Sequence, residues 1–469
     1  MEKSKLIVLL RTFDSTELTE FGEFIASPYF NKRTELLPFY DAIMQSAPTF
    51  KGESIAKETV FYAAFPREPF DEKQLAYSMN YLLKLAEQFM ARKIYEARPL
   101  AEELDTLQGF VKKKLDKHYH FLRKKIQKSL KEDLHKDKTY WRSKYAFSVL
   151  EVDYFTSQKK RGYDPSFQRL MDNLDDLYFV DKLRYGSVMA SLSSFVSTDF
   201  NIGMIDEVRN YLDQSDAVDP VILVYKYLFL SFSTNEESYF HKLLPLLNQI
   251  ENEVDQDELR ELYLLAINHC AKKIRTGKKE YYKITLDLFR EGITNRALFE
   301  EKYLSHWTYT NVVKLAVSTK NTDFLEEFIE QHAEDLDPKH RKQAELVNKA
   351  ELAFYKGQYD LVYDYVNALD MKSDYYYLLA SRLLQLKTYY AEGSIEPMLS
   401  QLAAFTMFIH RRKEISNQMK KPYLNFCQML ALIMRSRPEK MEKVRQKIQE
   451  TNPVTDKTWL LETMEKELA

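Results

Sequence analysis

Glycine is scarce in this chain, at 10 residues of 469, where average usage would be about 7 %. So little glycine leaves few positions for tight hairpins or phosphate-cradling loops. Neither G-x-x-x-x-G-K-[ST] nor G-x-G-x-x-G occurs. Cysteine is nearly absent too. Cys270 and Cys427 cannot build a disulfide framework, and neither has a second cysteine or a histidine at ligand spacing. A reducing compartment is therefore expected. H-E-x-x-H, C-x-x-C and G-x-S-x-G are also missing. No segment approaches the roughly 20 apolar residues of a membrane span. The run from Leu6 to Leu10 is broken by Arg11 and Asp14, too short for a signal peptide. With a net charge of only −2, the whole molecule has no strong field to draw it onto nucleic acid or membrane. These absences lead us to expect a cytoplasmic, non-enzymatic protein with no catalytic, cofactor-binding or metal-binding residues.

What is present points to helix. Leu, Lys, Glu, Gln and Ala fill long windows, and hydrophobic residues make up 45 % against 29 % charged, which is globular rather than disordered. Aromatics reach 14 %, with 32 Tyr and 29 Phe, which suits helices that pack through large side chains. The predicted fold is all-α: a small N-terminal helical module, then an array of stacked helix hairpins.

The first module, residues 1–99, carries sharp local signals. Asp14 is a predicted N-cap, with Glu17 as its capping-box partner and Phe13 opposite Leu18 as a hydrophobic staple. The same grammar returns at Phe70-Asp71-Glu72-Lys73-Gln74-Leu75. The first predicted helix, about Ser15 to Ala26, buries Leu18, Phe21, Phe24 and Ile25 and stops at Ser27-Pro28. A second follows Asn31 as cap and contains Pro38, a third covers about Ala56 to Phe65, and a fourth runs from Glu72 to about Tyr95. The combination SPYFN, the FDEKQL cap and the Leu-rich helix resembles the opening of a group of uncharacterised bacterial proteins, a resemblance that implies no activity.

Residues 100–139 read as one long basic amphipathic helix that connects the parts. From Val111 to Lys144 there are 13 Lys or Arg against 4 Asp or Glu. Val111, Leu115, Tyr119, Leu122, Ile126 and Leu130 fall on one face. Lys113, Lys117, Arg123, Lys124, Lys125 and Lys128 are the candidate basic surface, with Phe110 and Phe121 interleaved. Such a face suits RNA or DNA, with phosphates on lysines and bases on rings. It equally suits an acidic protein surface, or plain solvent.

Residues 140–451 show a recurring turn. Candidates fall at Gly162, Gly203, Thr234-Asn235, Gly277, Lys320, Gly357, Gly393 and Arg437, at intervals of about 31 to 44 residues, the range of helical repeats. The sharpest hairpin is Asn348 to Leu369, two helices across Lys356-Gly357. Phe354, Gly357, Tyr359, Ala368 and Leu369 are placed as in the tetratricopeptide-like (TPR-like) superfamily, which this stretch resembles. Val362 stands where that family has a small residue, and no proline closes the unit. The resemblance implies a right-handed α-solenoid that binds protein partners. Residues 452–469 then form a C-terminal capping helix.

Charge along the array is uneven. Asp199 to Glu261 holds 14 acidic residues against 4 basic, and Phe405 to Glu450 holds 11 basic against 4 acidic. Tyr375, Tyr376, Tyr377, Tyr389 and Tyr390 are candidate partner contacts, because amphipathic rings suit interfaces; alternate members of each cluster would equally serve as core. His118 and His120, His269 beside Cys270, and His332 with His340 lack the geometry of ligand pairs. Asp172 and Asp176 share a helix face but have no predicted cleft. The leading functional expectation is a protein interaction scaffold of unidentified partner. A nucleic-acid- or ribosome-associated protein using the basic helix is the alternative, and a ligand-responsive regulatory sensor the third reading.

Overall fold

In a computed structural model the chain is described over residues 1–132, 135–159, 161–193, 200–214, 218–234, 236–370, 374–413 and 415–468. The fold is all-α, and the chain divides into two compact units, Met1–Asp181 and Lys182–Ala469.

The first unit begins with a helix that periodicity did not reveal. α1 (Lys5–Leu10) is six residues long, capped by Ser4, and buries Leu6, Ile7 and Leu10. α2 (Ser15–Ala26) starts at Asp14 with the capping box closed in both directions, and it buries the four residues that the pattern predicts. Phe13 turns its ring toward Phe21 and Phe89. α3 (Leu36–Met44) begins later than expected, because Asn31 closes a turn, donating to Ile25 O and accepting from Arg33 N. Pro38 thus lies in the first turn of α3, where a missing N–H is tolerated. α4 (Lys57–Ala64) and α5 (Glu72–Glu96) follow, the latter capped by Asp71. Gln74 does not complete a capping box; it donates to Glu68 instead. Phe21, Phe39 and Phe61 are fully buried, each such ring contributing about 2–3 kcal/mol.

The basic segment is two helices rather than one. α6 (Ala101–Lys113) ends at Lys114, whose φ of +57° is left-handed. The N–H of Lys114 bonds to Val111 O and that of Leu115 to Phe110 O, the paired bonds that close a helix at a left-handed residue. α7 (Asp116–Glu132) then folds back on α6. With no glycine at the turn, nothing in the sequence marked it. α8 (Lys138–Ser157) packs on α6, and Leu107, Tyr119, Leu122, Ile126, Phe147 and Leu150 form their common core. The division between units falls within α9 (Ser166–Ser193), so α8 belongs to the first unit although the turn rhythm set the array to begin at residue 140.

The second unit continues with α10 (Ile205–Gln214), α11 (Pro220–Ser233), α12 (Glu237–Gln249), α13 (Gln256–Arg275) and α14 (Glu280–Thr294). A two-residue hairpin, β1 (Phe299–Glu300) with β2 (Tyr303–Leu304), interrupts the helices. Then come α15 (His306–Ser318), α16 (Leu325–Ala333), α17 (Pro338–Tyr355), α18 (Tyr359–Asn367), α19 (Tyr375–Ala391), α20 (Ile395–Arg411), α21 (Asn417–Arg435), α22 (Met441–Glu450) and α23 (Lys457–Leu468). The predicted turns fall between helices of this unit, apart from Gly162, which lies between α8 and α9; Asn235 is outside the described residues. Gly277, Gly357 and Gly393 have positive φ, the conformation in which glycine avoids a Cβ clash. Lys320 takes the same turn without glycine, at φ +56°.

Many consecutive helices pack on each other, as in α11 on α12, α13 on α14 and α17 on α18. Some helices also meet the next but one: α11 with α13, α15 with α17, α17 with α19 and α21 with α23. α19 buries ten of its 17 residues, so it is a core helix enclosed by neighbours rather than an amphipathic one. α23 packs on α21 and α22, with Leu460 and Met464 fully buried.

Candidate functional site

Charge is concentrated at several places among the described residues, Arg184 buried beside Glu258 and Glu261 among them, and two others that are built differently bear on function. The first is the α6–α7 hairpin. Tyr119, Leu122 and Ile126 turn inward, while Lys113, Lys117, Lys124, Lys125 and Lys128 are exposed. Arg123 is not part of that open surface: it pairs at 2.5 Å with Glu151 of α8, whose side chain is only 5 % exposed and also receives Arg169 at 3.2 Å. Lys125 reaches Glu103 at 3.2 Å and Lys128 lies 3.9 Å from Glu132. Lys113, Lys117 and Lys124 have no carboxylate within ion-pair range among the described residues. Phe121 is 77 % exposed. Together with Thr106, Phe110, Lys117, His118 and Leu122 it lines a shallow groove of about 360 Å³ between the two helices.

The second place lies in the second unit, where sequence reasoning singled out the tyrosines of α19 but not its buried charge. Lys387 of α19 is buried, and its Nζ lies 2.9 Å from Asp456, in the link between α22 and α23, and 3.4 Å from Glu351 of α17. Burial alone would drive Lys387 toward its neutral form, but the two carboxylates outweigh it and hold its pKa above that of an ordinary lysine. Burial likewise works against charge on Asp456, yet Lys387 and Lys314 of α15 keep its carboxyl below the usual range. Thr455 N donates to Pro422 O and Asn425 Nδ2 to Pro453 O, fixing the linking segment to α21. The available cue was Lys387 itself, the one charged residue between Leu383 and Tyr390. The arrangement is electrically closed, two cations against two carboxylates, so it fastens helices together rather than offering a charge to a ligand.

The five candidate tyrosines lie around this cluster, not on an open surface. Tyr376 and Tyr377 are buried, and Tyr375, Tyr389 and Tyr390 are half-buried against the core of α19 to α23. α19 is enclosed on all sides, which is why tyrosines along its whole circumference pack inward. Tyr389 faces Tyr363, and Tyr390 faces Trp459. Tyr376 lies 4.2 Å from the ring of Trp307, which remains 45 % exposed at the start of α15.

The other histidines and carboxylates singled out from the sequence are placed apart from one another or taken by structural partners. His332 pairs with Asp335 at 2.8 Å, whereas His340 stacks on His306 at 4.4 Å, so the two histidines around Asp337-Pro338 go separate ways. Asp176 is taken by Lys144 at 2.9 Å and Asp172 accepts from Gln168. His269 is 1 % exposed, lies 4.4 Å from the ring of Phe240, and neither ring nitrogen has a hydrogen-bond partner among the described residues. Burial, with smaller contributions from Lys273 and Lys272, depresses its pKa to about 3. No group of three or more metal-ligating side chains occurs, and no helix is long and apolar enough to cross a membrane, among the described residues. Comparison with protein-family models, with curated proteins and with solved structures gives no significant match.

Proposed function

We propose that this chain is a non-enzymatic interaction scaffold, whose second unit is a right-handed, TPR-like α-solenoid that presents a row of helices to a protein partner. One observation supports this reading above the others: α15, α17 and α19 pack on one another while also packing on α16, α18 and α20. Contacts to both the next helix and the next but one set a chain out in two rows, and since α19 is enclosed, it is at the start of α15 that the row of α15, α17 and α19 brings an aromatic to solvent. Trp307, half-exposed against Tyr376 in the row of α15, α17 and α19, is the large aromatic that such a surface would use as an anchor.

The test is site-specific photo-crosslinking in native cells. A crosslinker at Trp307 should capture one defined protein, and a crosslinker at Leu361, exposed on α18 of the other row, should not. Capture at Leu361 alone, or at neither position, would remove the support for this reading.

A further inference from the structure

Phe121 is an anomaly that folding does not explain. The inward face of α7 is already complete with Tyr119, Leu122 and Ile126, and Phe121 lies on the opposite face, 77 % exposed. At 100° per residue, Lys117, Lys124, Lys125 and Lys128 all fall within about 60° of it. The ring thus stands in the middle of a lysine stripe, beside the groove that Phe110, His118 and Leu122 line. An exposed aromatic at the centre of a charged rim is the usual make-up of a binding hot spot.

We infer that this groove is a docking site for an acidic amphipathic peptide, which places a large apolar side chain against Phe121 and its carboxylates against Lys117, Lys124 and Lys128. Lysines outnumber carboxylates around Phe121: Glu103 and Glu132 offset Lys125 and Lys128, but Lys117 and Lys124 have no carboxylate within ion-pair range among the described residues. An acidic partner supplies the missing counter-charges. Single-stranded nucleic acid would satisfy the lysines equally. The groove favours the peptide: a base could stack its face on Phe121, but to enter between Phe110, Phe121 and Leu122 it would have to bury its polar edge against carbon, which an aliphatic side chain does not. The neighbouring arginine, the side chain best suited to phosphate forks, is turned away into Glu151.

The experiment uses the full chain and a fluorescein-labelled helical peptide of about 15 residues built from Leu and Glu, with the same peptide carrying Lys for Glu, and an oligothymidine of about 12 nucleotides, as comparators. The Leu/Glu peptide should bind in low salt and weaken steeply as salt rises. Phe121→Ala should weaken it at least about tenfold, and Lys124→Glu with Lys128→Glu should abolish it. These are exposed positions, and circular dichroism will establish that each variant keeps its fold. No binding of the Leu/Glu peptide, equal binding by Phe121→Ala, equal binding of the Leu/Lys peptide, or tighter binding of the oligothymidine would each overturn the proposal. None of these results bears on the crosslink at Trp307, which tests the second unit alone.

Discussion

Glu151 in the first unit and Lys387 in the second are inverted solutions to one problem, a single buried charge held between two of opposite sign. Glu151 sits between Arg123 and Arg169, which keep 29 % and 46 % of their side-chain exposure. Lys387 sits between Glu351 and Asp456, at 19 % and 23 %. The difference lies in what remains when the central charge is lost. Two arginines at the edge of the first unit can turn to water, and each carries several donors to share with it. The two carboxylates around Lys387 are less exposed and have less room to rehydrate, and Lys314 alone is left to balance both. A flanking pair near solvent therefore tolerates loss of its centre, and an enclosed one does not.

The largest expected effect comes from breaking the enclosed cluster. Lys387→Met should cost about 3–5 kcal/mol in urea unfolding, the range for stranding buried partners. Glu151→Gln should cost only about 1–2 kcal/mol, near the value of a charge-assisted hydrogen bond. Equal losses would refute the contrast.

His269 sharpens the comparison, because it is buried with no counter-charge at all. Its folded pKa of about 3 lies below the unfolded value of about 6.5. Protons then bind the unfolded chain first, so stability falls as the pH drops below about 6.5 and continues to fall until about 3. At pH 5 the loss should be about 2 kcal/mol relative to pH 7.5, and His269→Leu should flatten that part of the profile. Asp456 works in a different window. Its depressed carboxyl pKa gives stability that is present above the unfolded value of about 4 and lost as the pH falls through the lower folded one. Calorimetry of the wild type and His269→Leu between pH 7.5 and 4 separates the two.

The smallest change should be a gain. Lys320 holds φ +56°, which costs a side chain about 1–2 kcal/mol. Glycine there should raise stability by up to about 1 kcal/mol after its greater chain entropy is counted. The residue lies on the turn after α15, outside both charge clusters, so it calibrates how finely urea unfolding resolves them.

Much of the helical framework was legible because local rules dictated it. Asp14 with Glu17 and Asp71 marked helix starts, and Gly277, Gly357 and Gly393 marked turns, since each signal acts within a few residues of its cause. The break at Lys114 was hidden because a lysine occupies the left-handed position, and α1 because six residues are too few to show a period. The site was harder. Periodicity separated the lysines of α7 from its buried stripe, yet it could not tell that Arg123 would reach Glu151, 28 residues away. Nor could it bring Asp456 to Lys387, 69 residues away, or show that the tyrosines of α19 would find neighbours on every side. Those pairings come from how helices are brought together in three dimensions, which spacing along the chain does not encode.

The reach of Asp456 back to Lys387 and Lys314 has a consequence for how the second unit comes apart. Where each hairpin leans only on its neighbours, an array can unzip from an end, one repeat at a time. Here the last link is clasped to α19, and the field of Asp456 also acts on α15. Amides of α23 should consequently exchange with solvent at nearly the rate of those in α19, so that the terminal helices open as one block with the interior instead of fraying ahead of it.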